Sequence, residues 1–256
     1  MPEVVMSIWD HLDELSHRLR VIAYSLAISS IVVAAFPYNL INKSVEGYSP
    51  FVSVVLKKVQ NDLLPQSASL IAYSWWDPIW AYLLLSVLLG AIASSPVIAY
   101  ELYKFFNPAL LPSERRPLAT FIISVVILFI SGAVFTYFLI LPITFTMLLK
   151  LVIISGALPI FALRDFISFV VWSIVGIGIA FTFPIWITLM VKLGWISPET
   201  LATNRRVAIV VILVIAGIIT PDPTVTSMLI LSIPLIILYE ISIWAARLVA
   251  KSEGPG

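Results

Sequence analysis

The sequence predicts an all-α, polytopic membrane protein with six transmembrane helices, both termini in the cytoplasm and an extracytoplasmic cap. Three observations carry this expectation. Of the 256 residues, 61% are hydrophobic and only 11% charged, whereas a soluble domain is roughly 45–50% apolar and about 25% charged. Such an excess, with a mean hydropathy of +1.06, has no place in a soluble core, because too little polar surface would remain to cover it. The apolar residues also gather into six runs, most of them near the ~20 residues a helix needs to cross a hydrocarbon layer about 30 Å thick. Finally, Lys and Arg divide ten to five between the two sets of connections, and Arg alone divides seven to one, which puts the arginine-rich side and both termini in the cytoplasm.

Taken in order, residues 1–20 read as a cytoplasmic amphipathic helix at the membrane surface. Ile8, Leu12, Leu15 and Leu19 share one helical face, and Asp10, Glu14 and Arg18 follow a four-residue spacing on another. Glu14 and Arg18 are placed to pair across one turn, worth about 0.2–0.5 kcal/mol. The segment does not build an apolar run toward a cleavage site, so the first span is expected to be retained. Spans are predicted over 21–36, 78–100, 118–140, 166–191, 207–219 and 225–244. The fifth has an apolar stretch rising only about 20 Å, which predicts local bilayer thinning or burial against neighbours. Residues 37–77 form the outer cap, with an amphipathic helix over 50–64 set by Phe51, Val54, Val55, Val59 and Leu63. The second outer connection covers 141–165, and the third is the turn Pro221-Asp222-Pro223-Thr224. Residues 101–117 form a cytoplasmic loop and 245–256 a cytoplasmic tail, so that 1–256 is a single six-span domain.

Composition narrows the function classes. A net charge of +1, no cysteine and two histidines give no support for nucleic acid, a metal site or a cofactor. The motifs of intramembrane or soluble hydrolases are missing, so no enzyme is expected. A small-solute or ion secondary transporter is the alternative reading, since six spans carrying Pro96, Pro142, Pro184 and Pro234 would permit one. That class calls for several acids or bases near the midplane, and this chain has almost none. Two polar places remain. In the 101–117 loop, Pro108 and Pro112 stiffen a platform of Phe105, Phe106, Leu110 and Leu111 beside Glu114; the platform could receive a peptide, or Glu114 could simply complement the next helix's dipole. Glu240 is the one clear acid in a span, about one turn from its inner end, and either snorkels, pairs with a nearby Arg, or meets a partner.

Three ordered motifs then resemble one family. His11-Leu12-Asp13-Glu14-Leu15-Ser16-His17-Arg18-Leu19, Phe106-Asn107-Pro108-Ala109-Leu110 with Glu114-Arg115-Arg116, and Ile219-Thr220-Pro221 with Ile233-Pro234 and Tyr239-Glu240 resemble TatC, the polytopic subunit of the twin-arginine protein translocase. The resemblance implies a cell-membrane receptor that binds paired-arginine signal peptides of folded cargo and works with single-span TatA/TatB-type subunits in the bilayer; self-association is left open. By motif position it implies that Glu14 and Glu114 are the recognition carboxylates, and Leu12, Leu15, Phe106, Pro108 and Leu110 are expected beside them. A guanidinium is a planar fork that carboxylates accept in bidentate fashion, so two acids can separate an Arg pair from Lys. Glu240, Thr182 and Pro221 are expected to make intramembrane polar or partner contacts. Ser16 stands where the family often has Arg, Thr182 where many members carry an acid, and Thr224 and Met228 where Asp and Gln are common, so the intramembrane polar cluster is expected to be less complete.

Overall fold

The structure is a computed structural model and describes residues 8–38, 50–106, 118–192, 194–219 and 225–252. Helix α1 covers Ile8–Ala35 without a break. The described part of the surface helix expected over 1–20 and the first span are therefore one rod, because neither Gly nor Pro occurs between Ile8 and Phe36. At 1.5 Å per residue it is about 42 Å long, more than a hydrocarbon layer needs, so its N-terminal turns stand clear of the lipid core. Tyr24, Ile28, Ile31 and Val32 are exposed along one side, as lipid contact requires. Its other side lies on α3, Trp76–Phe106. There Ser29 Oγ donates to the Gly90 carbonyl at 2.9 Å and the Tyr82 hydroxyl donates to the Ala34 carbonyl. Gly90 permits this approach: a Cβ at that position would lie 2.8 Å from the Ser30 backbone, inside van der Waals contact.

The cap helix α2, Phe51–Leu63, buries Val52, Val59 and Leu63 against Ala81, Leu85 and Leu88 of α3 and against Phe166, Ile167 and Val170. Its extent agrees with the helix predicted over 50–64. A short parallel pair, β1 Ser69–Ile71 with β2 Ile160–Ala162, ties the first outer connection to the second. Helix α3 then starts where Asp77 accepts the backbone N–H groups of Tyr73 and Ser74 at 2.9 and 3.1 Å.

Helix α4, Leu118–Phe135, continues through a π-helical turn, Thr136–Ile140, into α5, Leu141–Ile154. The second outer connection, expected over 141–165, is thus helical for more than half its length. Pro142 would end an ordinary helix by clashing with the carbonyl four residues back. The wide turn immediately before it, closed by Leu141 N–H onto the Thr136 carbonyl, makes room for the ring. Conversely, the fourth span is not continuous. Helix α6, Leu163–Phe181, stops at Thr182 and α7 covers Phe183–Lys192, since Pro184 cannot donate to the turn before it.

After α8, Pro198–Thr203, capped by Ser197 Oγ on the Thr200 N–H at 3.1 Å, α9 covers Arg205–Ile219 and α10 Val225–Ser252. Among the described residues five helical runs are long and apolar enough to cross a membrane. The remaining span, fifth in chain order, is the 15-residue α9, which rises about 22 Å and packs Ile212 and Ala216 against Leu231 and Leu235 of α10. Within the spans most hydroxyls fold back onto their own helix. Ser30, Ser86, Thr136 and Ser242 each donate to the carbonyl four residues earlier at 2.7–2.8 Å. Buried Ser173 Oγ is an exception, without a partner among the described residues.

Candidate functional site

Helical spacing puts Glu14 and Arg18 on the same face of α1, and packing brings the last turns of α3 beside them. Arg18 Nε donates to Glu14 Oε1 at 3.1 Å, its Nη2 donates to the same oxygen, and its Nη1 donates to Glu101 Oε2 at 3.1 Å. All three side chains are largely withdrawn from solvent, at 13% exposure for Arg18, 20% for Glu14 and 12% for Glu101. The pairing of Glu14 with Arg18 that the spacing suggests is therefore made, and it extends to a third residue. Two carboxylates around one guanidinium leave a net charge of −1 on the cluster. The second oxygen of Glu14, Oε2, is buried with no hydrogen-bond partner among the described residues, which leaves it ready to accept a donor. Leu15 lies next to it and, with Ser16, Leu19 and Arg20, lines a shallow depression on α1.

The same end of the molecule is held by aromatic packing. Tyr103 of α3 meets Phe121 of α4 at 5.3 Å between ring centroids, and Phe121 meets Trp186 of α7 edge-on at 5.7 Å. Trp186 Nε1 donates to Thr182 Oγ1 at 3.1 Å, and that hydroxyl donates to the Ile179 carbonyl at 2.7 Å. Thr182, expected as a polar contact in the membrane, is 6% exposed and spends its hydrogen bonds at the α6–α7 break instead of offering them at an open face. Glu240 is paired too: Arg205 Nη2 donates to Oε2 and Nε lies against Oε1, both at 3.0 Å, a fork on a fork. That pair is about half exposed, at 46% and 47%. The neighbouring Tyr239 hydroxyl donates to the Leu201 carbonyl at 2.9 Å, tying α10 to α8.

Of the other expected site residues, Pro108, Leu110, Glu114 and Pro221 lie outside the described residues, as do Pro112 and Thr224. Leu12 belongs to α1 and Phe106 closes α3; nothing further is described of their side chains. Glu101 is the residue that sequence reasoning passed over. An acid at the end of a long apolar helix needs a partner, but helical spacing assigns Arg18 to Glu14 alone, and Glu101 is only the first residue of the 101–117 loop. Among the described residues no group of three or more His, Cys, Asp or Glu side chains is arranged to hold a metal ion.

The family model described as "Sec-independent protein translocase protein (TatC)" matches residues 10–234. The chain belongs to the TatC family. It is 34% identical to a TatC of Aquifex aeolicus over 97% of this chain and 98% of the relative. To a TatC of Carboxydothermus hydrogenoformans it is 29% identical over 100% and 99% of the two chains. A solved structure described as a twin arginine translocase receptor, TatC, superposes with a TM-score of 0.74 at 33% identity, covering 94% of this chain and 99% of the other. As a TatC, the chain is a multi-pass membrane protein and a subunit of the Sec-independent twin-arginine translocase, a protein-transport component and not an enzyme. The fold, the transport function and the expectation of no catalysis agree with this membership, and the small-solute transporter reading has no support in it.

Proposed function

We propose that this TatC is the receptor for paired-arginine signal peptides, and that Glu14 is one of its two acceptors with Glu114 as the other. The observation that carries the reading is Glu14 Oε2, buried and unpartnered beside a net negative cluster at the end of α3. A second guanidinium arriving there would complete a charge-assisted hydrogen bond that the free chain leaves open. Leu12, Leu15, Phe106, Pro108 and Leu110 would take the apolar residues that accompany the arginines. The arginine bias of the sequence puts this end, with both termini, in the cytoplasm, where folded cargo waits. Single-span TatA/TatB-type partners would dock beside α9 and α10, where the half-exposed Arg205–Glu240 pair offers a polar contact; Thr182 and Pro221 are further proposed partner contacts.

Crosslinking and affinity of a paired-arginine peptide against its twin-lysine counterpart, on detergent-solubilised protein, test the reading. Preference for arginine is expected, and Glu114→Ala should weaken binding by about 1.5–3 kcal/mol for each charge-assisted hydrogen bond lost. Equal capture of the two peptides, or unchanged affinity in Glu114→Ala, would remove the proposed site.

A further inference from the structure

We propose that Glu101 is a positioning residue that keeps Glu14 open to a cation from outside the chain by holding the guanidinium of Arg18. The inference rests on Glu14 being a signal-peptide acceptor, and the geometry of the triad takes it further. A guanidinium one turn away from a carboxylate would ordinarily place one donor on each oxygen, closing a fork and neutralising the acid within its own helix. Here the fork is skewed. Nε and Nη2 both fall on Oε1 of Glu14, while Nη1 reaches 83 residues along the chain to Glu101 on α3. The third donor is what keeps the guanidinium from turning fully onto Glu14, and the result is the free, buried Oε2.

Charge gives the same answer. Glu14 and Arg18 alone sum to zero and would offer an incoming arginine nothing to neutralise. Glu101 brings the cluster to −1, which matches one guanidinium. At 12–20% exposure these charges are only partly screened by water, so one unit of charge changes the attraction substantially. Without Glu101, Arg18 would lose the acceptor of Nη1 while still largely buried, and Oε2 of Glu14 would be the nearest replacement. Arg18 is thus both the neighbour that orients Glu14 and the ligand's competitor, and Glu101 decides which role dominates.

Affinity for a paired-arginine peptide, measured in detergent on wild type, Glu14→Gln, Glu101→Gln and the double variant Glu101→Gln with Arg18→Gln, tests this, with thermal stability recorded for each. Glu101→Gln is expected to weaken binding about tenfold, the size of a single lost charge contact. Adding Arg18→Gln should recover most of that loss, because the competing guanidinium is gone. A purely structural role of Glu101 in joining α1 to α3 predicts the opposite, with the double variant at least as weak as the single one and less stable. Unchanged affinity in Glu101→Gln, or no recovery in the double variant, would overturn the inference while a loss in Glu14→Gln left the receptor reading standing. If Glu14→Gln bound as well as wild type, the receptor role of Glu14 and this inference would fail together.

Discussion

Glu240 illustrates how a charged residue in a span is made tolerable. Its bidentate pair with Arg205 is half exposed, and pairs of that kind contribute only about 0–1 kcal/mol to stability. Glu240→Gln should therefore leave the melting temperature in detergent nearly unchanged while impairing transport in reconstituted vesicles, if partner subunits use this pair. Intact transport combined with a large loss of stability would make it a structural anchor. Thr182 follows a different logic. A carboxylate at the break between α6 and α7 would need hydration or a cation, but a hydroxyl is satisfied by one donor and one carbonyl of its own neighbourhood. Thr182→Val deletes both bonds and should cost about 1–3 kcal/mol in thermal unfolding; no loss would mean that the Trp186 contact contributes nothing. The pairing of Glu14 with Arg18 was legible in the sequence, since helical spacing alone creates it. Glu101 was not, because its partner lies 83 residues away and only the packing of α1 on α3 brings them together.

The helices themselves show which features a hydrophobic run encodes and which it hides. The spans and the cap helix α2 were readable from length and periodicity, whereas the π-helical turn, the extension into α5 and the break at Thr182 were not. Each of these depends on where one proline falls against a particular turn: Pro142 follows a widened turn and is absorbed, Pro184 meets a regular one and breaks it. The α1–α3 seam depends equally on a single position. A Cβ at Gly90 would press on the Ser30 backbone, which cannot swing aside as a side-chain tip could. Gly90→Ala is expected to destabilise the protein by about 1–3 kcal/mol as an overpacked contact, and a melting temperature equal to wild type would show that the helices can simply spread. Beside its apolar packing, the cap is tied to the bundle by Asp62 of α2, which accepts the Tyr137 hydroxyl at 2.7 Å and pairs with Lys58. The Tyr137 bond, aided by Lys58, holds the Asp62 carboxyl below its ordinary value of 3.8. A lowered acid stabilises the fold above that ordinary value and loses its contribution as pH falls through the folded one. Any attachment through Asp62 should accordingly be constant at neutral pH and weaken only below about pH 3.8. Hydrogen exchange of α2 compared between wild type and Asp62→Asn should differ at neutral pH and converge in strong acid; a difference that persisted there would point to another cause.

Across the whole molecule, one end gathers the Glu14–Arg18–Glu101 triad, the aromatic cluster and the Arg205–Glu240 pair, and the other carries the cap, the β1–β2 pair and the bond between Asp62 and Tyr137. The arginine bias predicts that the first of these ends faces the cytoplasm, since charge asymmetry is a property of the connections and not of packing. The number of spans was legible as well, but α9 is too short to declare itself on length and counts as a span through its pairing with α10. The hydroxyls that turn back onto their own backbones have a consequence for how such a chain is made. A helix whose polar side chains are already satisfied within its own turns presents lipid with almost nothing that must wait for a neighbour. Most spans can consequently enter the bilayer one at a time during synthesis, in the order they are translated, and find one another afterwards by shape. Among the contacts that cross between helices, Ser29 to Gly90, Tyr82 to Ala34 and Arg18 to Glu101 join the first span to the second, so the earliest hairpin to be translated is also the first that can be locked.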